Sequence, residues 1–183
     1  MASIHFTKLG CCVRSHPYFS NYNSIRDSRT RALWRKGIPA ARRGIIWQKC
    51  FGNRLSVTEE TFNKVLTRIH EAERALEELS PDDDTEAYAT LFRRIELDCA
   101  SAFPDLKIFQ PGGPLFEDLV RVTKAYILYR TNLGYIPGAH SVVATFLINL
   151  DPLSTFVAAA NSLNRPLPLA FLSNDHMAVR PHG

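Results

Sequence analysis

The stretch TEETFNKVLTRIHEAERALEEL, residues 58–79, has the spacing of an amphipathic helix. Its apolar side chains recur every three or four residues and therefore lie along one side of a helix. They are Phe62, Val65, Leu66, Ile69, Ala72, Ala75, Leu76 and Leu79. Just before them, Ser56-Val57-Thr58-Glu59 has the composition of a capping box, in which a hydroxyl and a carboxylate each bind an unpaired amide. We therefore predict a helix that is capped at Ser56 and buries one face.

Helical patterns also dominate the rest of the chain from residue 38 onwards. They predict helices over 40–51 with Pro39 at the first helical position, from Thr85 to about Phe103, from Pro114 to about Arg130, across the apolar segment 139–150, and from Pro152 behind an N-cap at Asp151. Gly52 and Gln110-Pro111-Gly112-Gly113-Pro114 are typical of breaks between them. A short helix within 165–183 remains an option. Because no apolar and polar alternation is sustained anywhere, the predicted fold class is all-α.

Length and composition are those of an ordinary globular protein. The chain has 183 residues, 45% of them hydrophobic and 22% charged, which suits one domain or one domain with a tail. No uncharged apolar run approaches the roughly 18 residues that a membrane span needs. The cysteines are Cys11, Cys12, Cys50 and Cys99, and they lack the spacing of a zinc site or a disulfide framework. We therefore expect a reduced, cytosolic setting.

Charge is distributed unevenly along the chain. Residues 1–54 carry eleven Lys and Arg against the single acid Asp27, a net of +10, whereas the remainder has a net of −6. A basic front can contact nucleic acid, acidic lipid or an acidic protein surface. It has no RNP motif, zinc-finger spacing or RGG repeat, so specific nucleic-acid binding is not expected. Residues 1–33 are rich in Ser and Arg and nearly free of acids, a composition shared with organelle transit peptides, and this alternative stays open. We expect residues 1–28 to form a basic, poorly ordered arm.

Motifs for common enzyme chemistry are missing from the sequence. The six histidines form no HExxH pair, no Gly-x-Ser-x-Gly elbow occurs, and the glycines at 112 and 113 are not followed by Lys-Ser/Thr. The aspartates at 82–84 lack the ligand spacing of an EF-hand. Glu96 and Asp98, two residues apart on a helix, point to different faces and do not predict a paired-carboxylate site. The residues alone thus indicate a helical domain with a basic arm.

Several motifs in order resemble those of TBC domains, the fold of Rab GTPase-activating proteins. They are Trp34-Arg35-Lys36-Gly37-Ile38-Pro39, Arg43-Gly44, Trp47, the stretch 95–104 (IELDCASAFP), the stretch 108–114 (IFQPGGP), Tyr135-Ile136-Pro137-Gly138-Ala139, Leu163-Asn164-Arg165-Pro166, Ala170-Phe171 and Asp175-His176. Four of these also resemble the TBC subgroup linked to recycling endosomes and autophagy. They are the stretch 108–114, Leu163-Asn164-Arg165-Pro166, Ala170-Phe171 and Asp175-His176. The resemblance covers about residues 29–183 and implies the N-terminal portion of a truncated TBC-like domain.

The resemblance also identifies candidate site residues. The family's I-x-x-D-x-x-R-T-F-P motif has its arginine finger at the position of Ser101, and its Y-x-Q-G-M motif has a glutamine finger at the position of Pro137. Asp98 matches the acid of the first motif, whose role would be to orient the arginine. As an alternative, Asp98 is simply a polar residue of its helix. Trp34 and Trp47 are interpreted as packing anchors, and Gly138 as the residue that permits a tight loop.

The resemblance implies a protein that binds Rab GTPases in vesicle trafficking and stimulates their GTP hydrolysis, with activity impaired by the two substitutions. Such a protein is an activator and not itself a hydrolase. It needs no cofactor or metal of its own, because GTP and Mg²⁺ belong to the partner. The expected location is cytoplasmic, with at most peripheral contact with endosomal or other trafficking membranes. The alternatives are a non-catalytic helical adaptor and a truncated TBC fragment.

Overall fold

The computed structural model describes residues 35–77, 83–131 and 134–164, together with Ser28 and Ala32. Within these residues the regular elements are all helical, which confirms the all-α prediction. They are α1 (Ala40–Phe51), α2 (Glu59–Glu77), α3 (Asp83–Ala100), a 3-10 turn (Pro104–Leu106), α4 (Phe116–Tyr129), α5 (Ala139–Leu147) and α6 (Pro152–Leu163). The proposed arm at 1–28 (apart from Ser28), Trp34, Leu79 and the segment 165–183, with its optional short helix, lie outside the described residues.

The chain divides into two compact units at the bond between Gly52 and Asn53. In the first unit, α1 begins directly after Pro39 and ends before Gly52, which has the positive φ of 61° that a glycine adopts without strain. Pro39 precedes the helix and is not its first residue, so that prediction was wrong by one position. The Arg43 side chain fixes the entry to α1, since its Nε donates to the carbonyl of Ile38 at 2.9 Å.

In the second unit, the start of α2 differs from the predicted capping box. Thr58, not Ser56, precedes the helix, and its Oγ1 accepts from the amide of Thr61 at 3.2 Å. Thr61 completes the pair, because its own Oγ1 accepts from the amide of Thr58 at 3.5 Å. Ser56 has a positive φ of 51° in the turn before the helix. The prediction that Ser56 and Glu59 form the cap was therefore wrong, although the helix itself is confirmed.

The centre of the second unit is α4, which packs against α2, α3, α5 and α6. Apart from the exposed Arg121, every residue of α4 from Leu119 to Leu128 is buried. A helix that contacts neighbours on most sides needs apolar residues on most sides. Aromatic side chains fill the space beside it: the ring of Phe156 on α6 lies 4.9 Å from that of Phe62 on α2 and 5.5 Å from that of Tyr129.

Two further helix starts differ from the prediction. Helix α3 begins at Asp83, two residues before the predicted start at Thr85. Helix α4 begins at Phe116 and not at Pro114, since the preceding loop closes on itself. In that loop the amide of Leu115 donates to the carbonyl of Ile108 at 3.0 Å. A Cβ at Gly113 would lie 2.6 Å from the same carbonyl oxygen, so this turn requires glycine.

Side-chain amides connect the segment before α2 to α6. The amide of Leu55 donates to Asn161 Oδ1 at 3.0 Å, and Asn161 Nδ2 donates to Asn53 Oδ1 at 3.2 Å. Asn53 in turn accepts from the amide of Val57 at 2.9 Å. At the other end of α6, the predicted N-cap is confirmed, because Asp151 Oδ1 accepts from the amide of Ser154 at 2.9 Å. These contacts fix the two ends of α6 within the second unit.

Candidate functional site

Asp98 occupies the last turn of α3, on the edge of the buried face. Its neighbours Ile95 and Cys99 are fully buried against the rest of the second unit, whereas the Asp98 side chain remains 18% exposed. Its carboxylate accepts a short hydrogen bond from the hydroxyl of Tyr135 and another from Arg94 Nε at 3.2 Å. The Asp98 carboxylate is therefore hydrogen-bonded to two side chains, and its bond to Tyr135 joins α3 to the segment that leads into α5.

The protonation states around Asp98 follow from these contacts. Burial, together with the hydrogen bond to Asp98, raises the pKa of the Tyr135 hydroxyl well above its ordinary value. The hydroxyl thus remains a donor at neutral pH. Arg94 supplies a permanent positive charge one helical turn before the carboxylate, at the i, i+4 spacing that favours an ion pair.

Ser101, where the family resemblance predicts the arginine-finger position, follows directly after the end of α3. It is exposed, and its Oγ donates to the backbone carbonyl of Asp98 at 2.7 Å. The same carbonyl accepts from the amide of Ser101 at 3.1 Å. The hydroxyl therefore satisfies a carbonyl at the helix end, as polar side chains often do. It carries no charge that it could offer to a partner.

Pro137, where the family resemblance predicts the glutamine-finger position, lies in the segment before α5. Pro137 is exposed between the buried Ile136 and Gly138, whose φ of 89° confirms that glycine permits the tight turn into the helix. Proline has neither a backbone N–H nor a polar side-chain atom. The position therefore has no hydrogen-bond donor at all.

The hydrogen bond between Tyr135 and Asp98 brings the predicted site residues to one end of the bundle. Ser101 is bonded to Asp98, and Pro137 follows Tyr135 by two residues, a span of at most about 7 Å. Sequence reasoning missed the roles of Tyr135 and Arg94. The i, i+4 spacing of Arg94 and Asp98 was a usable signal, whereas the contact with Tyr135 joins residues far apart in the chain.

Two further titratable side chains lie next to this end of α3. His140, in the first turn of α5, is 9% exposed, and its Nδ1 has no partner among the described residues. Burial lowers the pKa of His140, and the charge of Asp98 only partly offsets this effect. The thiol of Cys99 lies 3.9 Å from Thr123 Oγ1, and burial raises its pKa to about 12. Such a thiol is unreactive, so Cys99 is not a nucleophile here.

A second polar cluster, also missed by sequence reasoning, surrounds Lys124 of α4. Its Nζ donates to Glu73 Oε1 of α2 at 2.9 Å and to Glu96 Oε1 of α3 at 2.8 Å, and it lies 4.5 Å from the ring centre of Phe92. Burial acts to lower the pKa of Lys124, but the bonds to Glu96 and Glu73 outweigh it and the pKa is raised. Glu96 and Asp98 thus have separate partners, as their spacing predicts.

A cleft of about 450 Å³ opens beside Lys124 between α2, α3 and α4. Its lining combines the apolar Leu66 and Phe116 with the charged Glu117 and Arg121. The carboxylates of Glu73 and Glu96 within it are already engaged by Lys124. The cleft therefore holds no free cluster of catalytic groups.

Across 35–77, 83–131 and 134–164, no three or more His, Cys, Asp or Glu side chains are grouped so as to hold a metal ion. None of the helices in these ranges combines the length and apolarity of a membrane-spanning segment.

Comparison with known proteins places this helical architecture in a family. The chain is 38% identical over 162 residues to TBC1 domain family member 12 of Rattus norvegicus, a match that covers 85% of this chain and 23% of the relative. It is 38% identical over 167 residues to TBC1 domain family member 14 of Homo sapiens, covering 85% and 24% of the two chains. A TBC domain-containing protein of Schizosaccharomyces pombe is 30% identical over 158 residues, covering 86% and 33%.

The fold and the site define a class, an all-α domain whose helix ends and loops carry the candidate site residues. The family model described as the Rab-GTPase-TBC domain matches residues 41–180, and the chain belongs to this family. The matched range contains Asp98, Ser101 and Pro137. The chain spans only about a quarter of the length of the first two relatives above.

Proposed function

We propose that this chain binds GTP-loaded Rab GTPases as a relative of the Rab GTPase-activating proteins, and that its own two-finger mechanism is impaired. The observation that carries the proposal is the state of the two finger positions. Ser101 is exposed, but its hydroxyl is bonded to a backbone carbonyl, and Pro137 is exposed without any donor. Membership of the Rab-GTPase-TBC family supports the choice of partner.

The chemistry of GTP hydrolysis explains why these substitutions matter. Negative charge spreads over the transferred phosphoryl group, and an arginine supplied by a partner raises the rate by about 10³–10⁵. A serine hydroxyl is neutral and several bonds shorter than a guanidinium. A glutamine amide can accept from the attacking water and donate to phosphate at the same time. Proline can do neither, either through its side chain or through its backbone.

In the proposed complex, the GTPase would bind GTP and Mg²⁺, and this chain would contribute only a protein surface. The encounter would take place in the cytoplasm or at the surface of a trafficking membrane, with peripheral contact only. Endosomal membranes are the expected site on the basis of the subgroup resemblance.

Restoration of both fingers tests the proposal. We expect Ser101→Arg combined with Pro137→Gln to raise single-turnover GTP hydrolysis by a panel of GTP-loaded Rab proteins about a thousandfold over the unmodified chain. A matched control is Leu106→Arg combined with Pro111→Gln, which changes two exposed neighbouring positions by the same side chains. No gain from either pair across the panel would contradict the proposal, and so would an equal gain from both.

Strong acceleration by the unmodified chain would also contradict the loss of mechanism. In that case Arg94 is the group to examine, because its guanidinium already reaches the end of α3 through Asp98. Arg94→Gln would then abolish the activity. Under the proposal, Arg94→Gln leaves the low hydrolysis rate of the unmodified chain unchanged.

A non-catalytic adaptor is the second candidate, favoured by exposed apolar side chains near the same end of α3. Leu97 is 62% exposed, and Phe103 and Leu106 follow in the next loop with 40% and 46%. Such side chains are typical of protein contact surfaces when they occur together. Binding to GTP-loaded and GDP-loaded Rab proteins separates the two candidates. A preference for the GTP form supports the first, whereas equal binding or none supports a general adaptor.

A further inference from the structure

The segment 134–138 carries Pro137, and the residues that the structure describes give it few backbone hydrogen bonds. Gly134 and Gly138 both have positive φ, 65° and 89°, and Pro137 offers no amide for a hydrogen bond. The backbone bonds near it are those of the turn into α5, from the amide of Ala139 to Ile136 at 3.1 Å and from Ser141 to Gly138 at 3.1 Å. A turn of this kind fixes the local shape of the segment but not its position against a neighbouring helix.

Among the described residues, two side chains attach this segment to the rest of the second unit. Ile136 is buried, and the Tyr135 hydroxyl donates to Asp98 at the end of α3. The apolar contact of Ile136 has no strict direction. The bond from Tyr135 is directional, and its acceptor is a carboxylate, which makes it stronger than a bond between neutral groups. The hydroxyl of Tyr135 is therefore the contact that sets where the segment lies along α3.

The acceptor of this bond is itself held in place. Arg94 Nε binds the Asp98 carboxylate at 3.2 Å from one turn earlier on the same helix. On the backbone side, the carbonyl of Asp98 accepts from the Ser101 hydroxyl at 2.7 Å. A single residue of α3 thus contacts the segment that carries position 137 and, through its carbonyl, position 101.

We infer that Tyr135 is a positioning residue: its bond to Asp98 holds position 137 beside position 101, so that both reach one bound GTPase at the same time. The inference rests on the proposed function in so far as both positions face the partner. It assigns Asp98 a role different from the one that the family resemblance implies. The carboxylate positions the second loop and does not serve chiefly to orient an arginine.

Hydrogen exchange on the unmodified chain provides the first test. We expect Tyr135→Phe to accelerate exchange of the amides at 139 and 141 at least tenfold, because the turn loses its attachment to α3. Exchange in the core of α4, around Val122, should not change. The matched control is Tyr88→Phe, which removes a hydroxyl from α3 itself, where it makes no bond to any described residue. Unchanged exchange at 139 and 141 in Tyr135→Phe would overturn the inference.

Kinetics in the chain with both fingers restored provide the second test. Adding Tyr135→Phe to Ser101→Arg and Pro137→Gln should lower kcat about tenfold to a hundredfold, as a misplaced group does, with little change in the KM for the GTPase. Asp98→Asn should have a similar effect, and combining it with Tyr135→Phe should add little, because both remove one contact. Additive losses, or a loss confined to KM, would overturn the inference.

The two tests separate the inference from the proposed function. If the restored chain stimulates no Rab protein, the proposed function fails, and the exchange experiment still decides whether Tyr135 positions the segment. If the restored chain is active and Tyr135→Phe leaves kcat unchanged, the proposed function survives and the positioning role does not.

Discussion

Helix α3 takes part in two polar clusters that differ in almost every respect. Through Glu96 it contacts Lys124, a cation that is 6% exposed and bound by two carboxylates from two helices. Through Asp98 it contacts Tyr135 at the rim of the fold, where the neighbouring Ser101 is exposed. The first cluster joins α2, α3 and α4 in the interior. The second joins a helix end to a loop that faces solvent.

The difference predicts that the interior cluster and the rim tolerate substitution to different degrees. A buried cation without partners is costly, so Lys124 and its two acids depend on one another. At the rim, the Ser101 hydroxyl donates to a nearby carbonyl. Pro137 is exposed and has no hydrogen-bond donor, and no described residue of the fold requires one at this position. Substitution there costs the fold little. We therefore expect mutations in the interior cluster to affect stability, and those at the rim to affect contact with a partner.

The largest expected effect contrasts the two faces of α3 directly. Ile95 is fully buried, whereas Leu97, two residues later, is 62% exposed. Ile95→Ala should lower the free energy of unfolding by about 2–5 kcal/mol, because it leaves a cavity in the core. Leu97→Ala should change it by less than about 0.5 kcal/mol. Urea denaturation of the full chain measures both. Similar losses of unfolding free energy in the two variants would contradict the assignment of one buried and one exposed face to α3.

An intermediate effect is expected from the interior cluster. Lys124→Met keeps most of the apolar stem but leaves Glu73 and Glu96 without their cation, and should lower the free energy of unfolding by about 1–2 kcal/mol. The partial exposure of both acids keeps the loss at the low end for a broken ion pair. The control is Lys64→Met, which breaks an exposed pair with Glu60 on α2 and should leave the free energy of unfolding nearly unchanged, because surface ion pairs contribute little. A loss no larger than that of the control would show that the cluster adds nothing.

The smallest expected effect concerns the rim and its dependence on pH. Because burial lowers the pKa of His140, the unfolded chain binds a proton at a higher pH than the folded chain. The associated stabilisation is present above the ordinary histidine pKa of about 6.5 and is lost as pH falls through the lower folded value. Between about pH 7.5 and 5, the melting temperature should therefore decline less steeply in His140→Leu than in the unmodified chain. Identical slopes in the two chains would contradict this account of His140.

Much of the helical architecture was predictable because it depends on local order along the chain. The apolar spacing of Phe62, Val65 and Ile69 identified α2, and these are the residues of α2 that are buried. The pair Asp151-Pro152 identified the start of α6 because its cap involves residues three apart. Helix starts were less predictable where two candidate caps lie close together, as Ser56 and Thr58 do. There the backbone of the preceding turn decides which hydroxyl reaches the helix.

The candidate site likewise has some features that the sequence predicted and others that it did not. The positions of Ser101 and Pro137 came from motif order, and the separate faces of Glu96 and Asp98 from helical periodicity. The contact of Tyr135 with Asp98 and the burial of Lys124 did not follow from any local pattern. Lys124 even lies on a helix whose apolar spacing gives no reason to bury a cation. Only the approach of α2 and α3 supplies the two acids that make its burial tolerable.

The sequence by itself determined that this chain is helical and where most of its helices lie, and the family resemblance predicts that Ser101 and Pro137 stand at the two finger positions. The helical pattern depends on side chains that are a few residues apart, so it is already present within a single helix. Only the tertiary structure decided which acid pairs with which donor and that Asp98 joins α3 to the loop before α5. Such contacts link residues that are tens of positions apart, and their partners become neighbours only after the helices have packed.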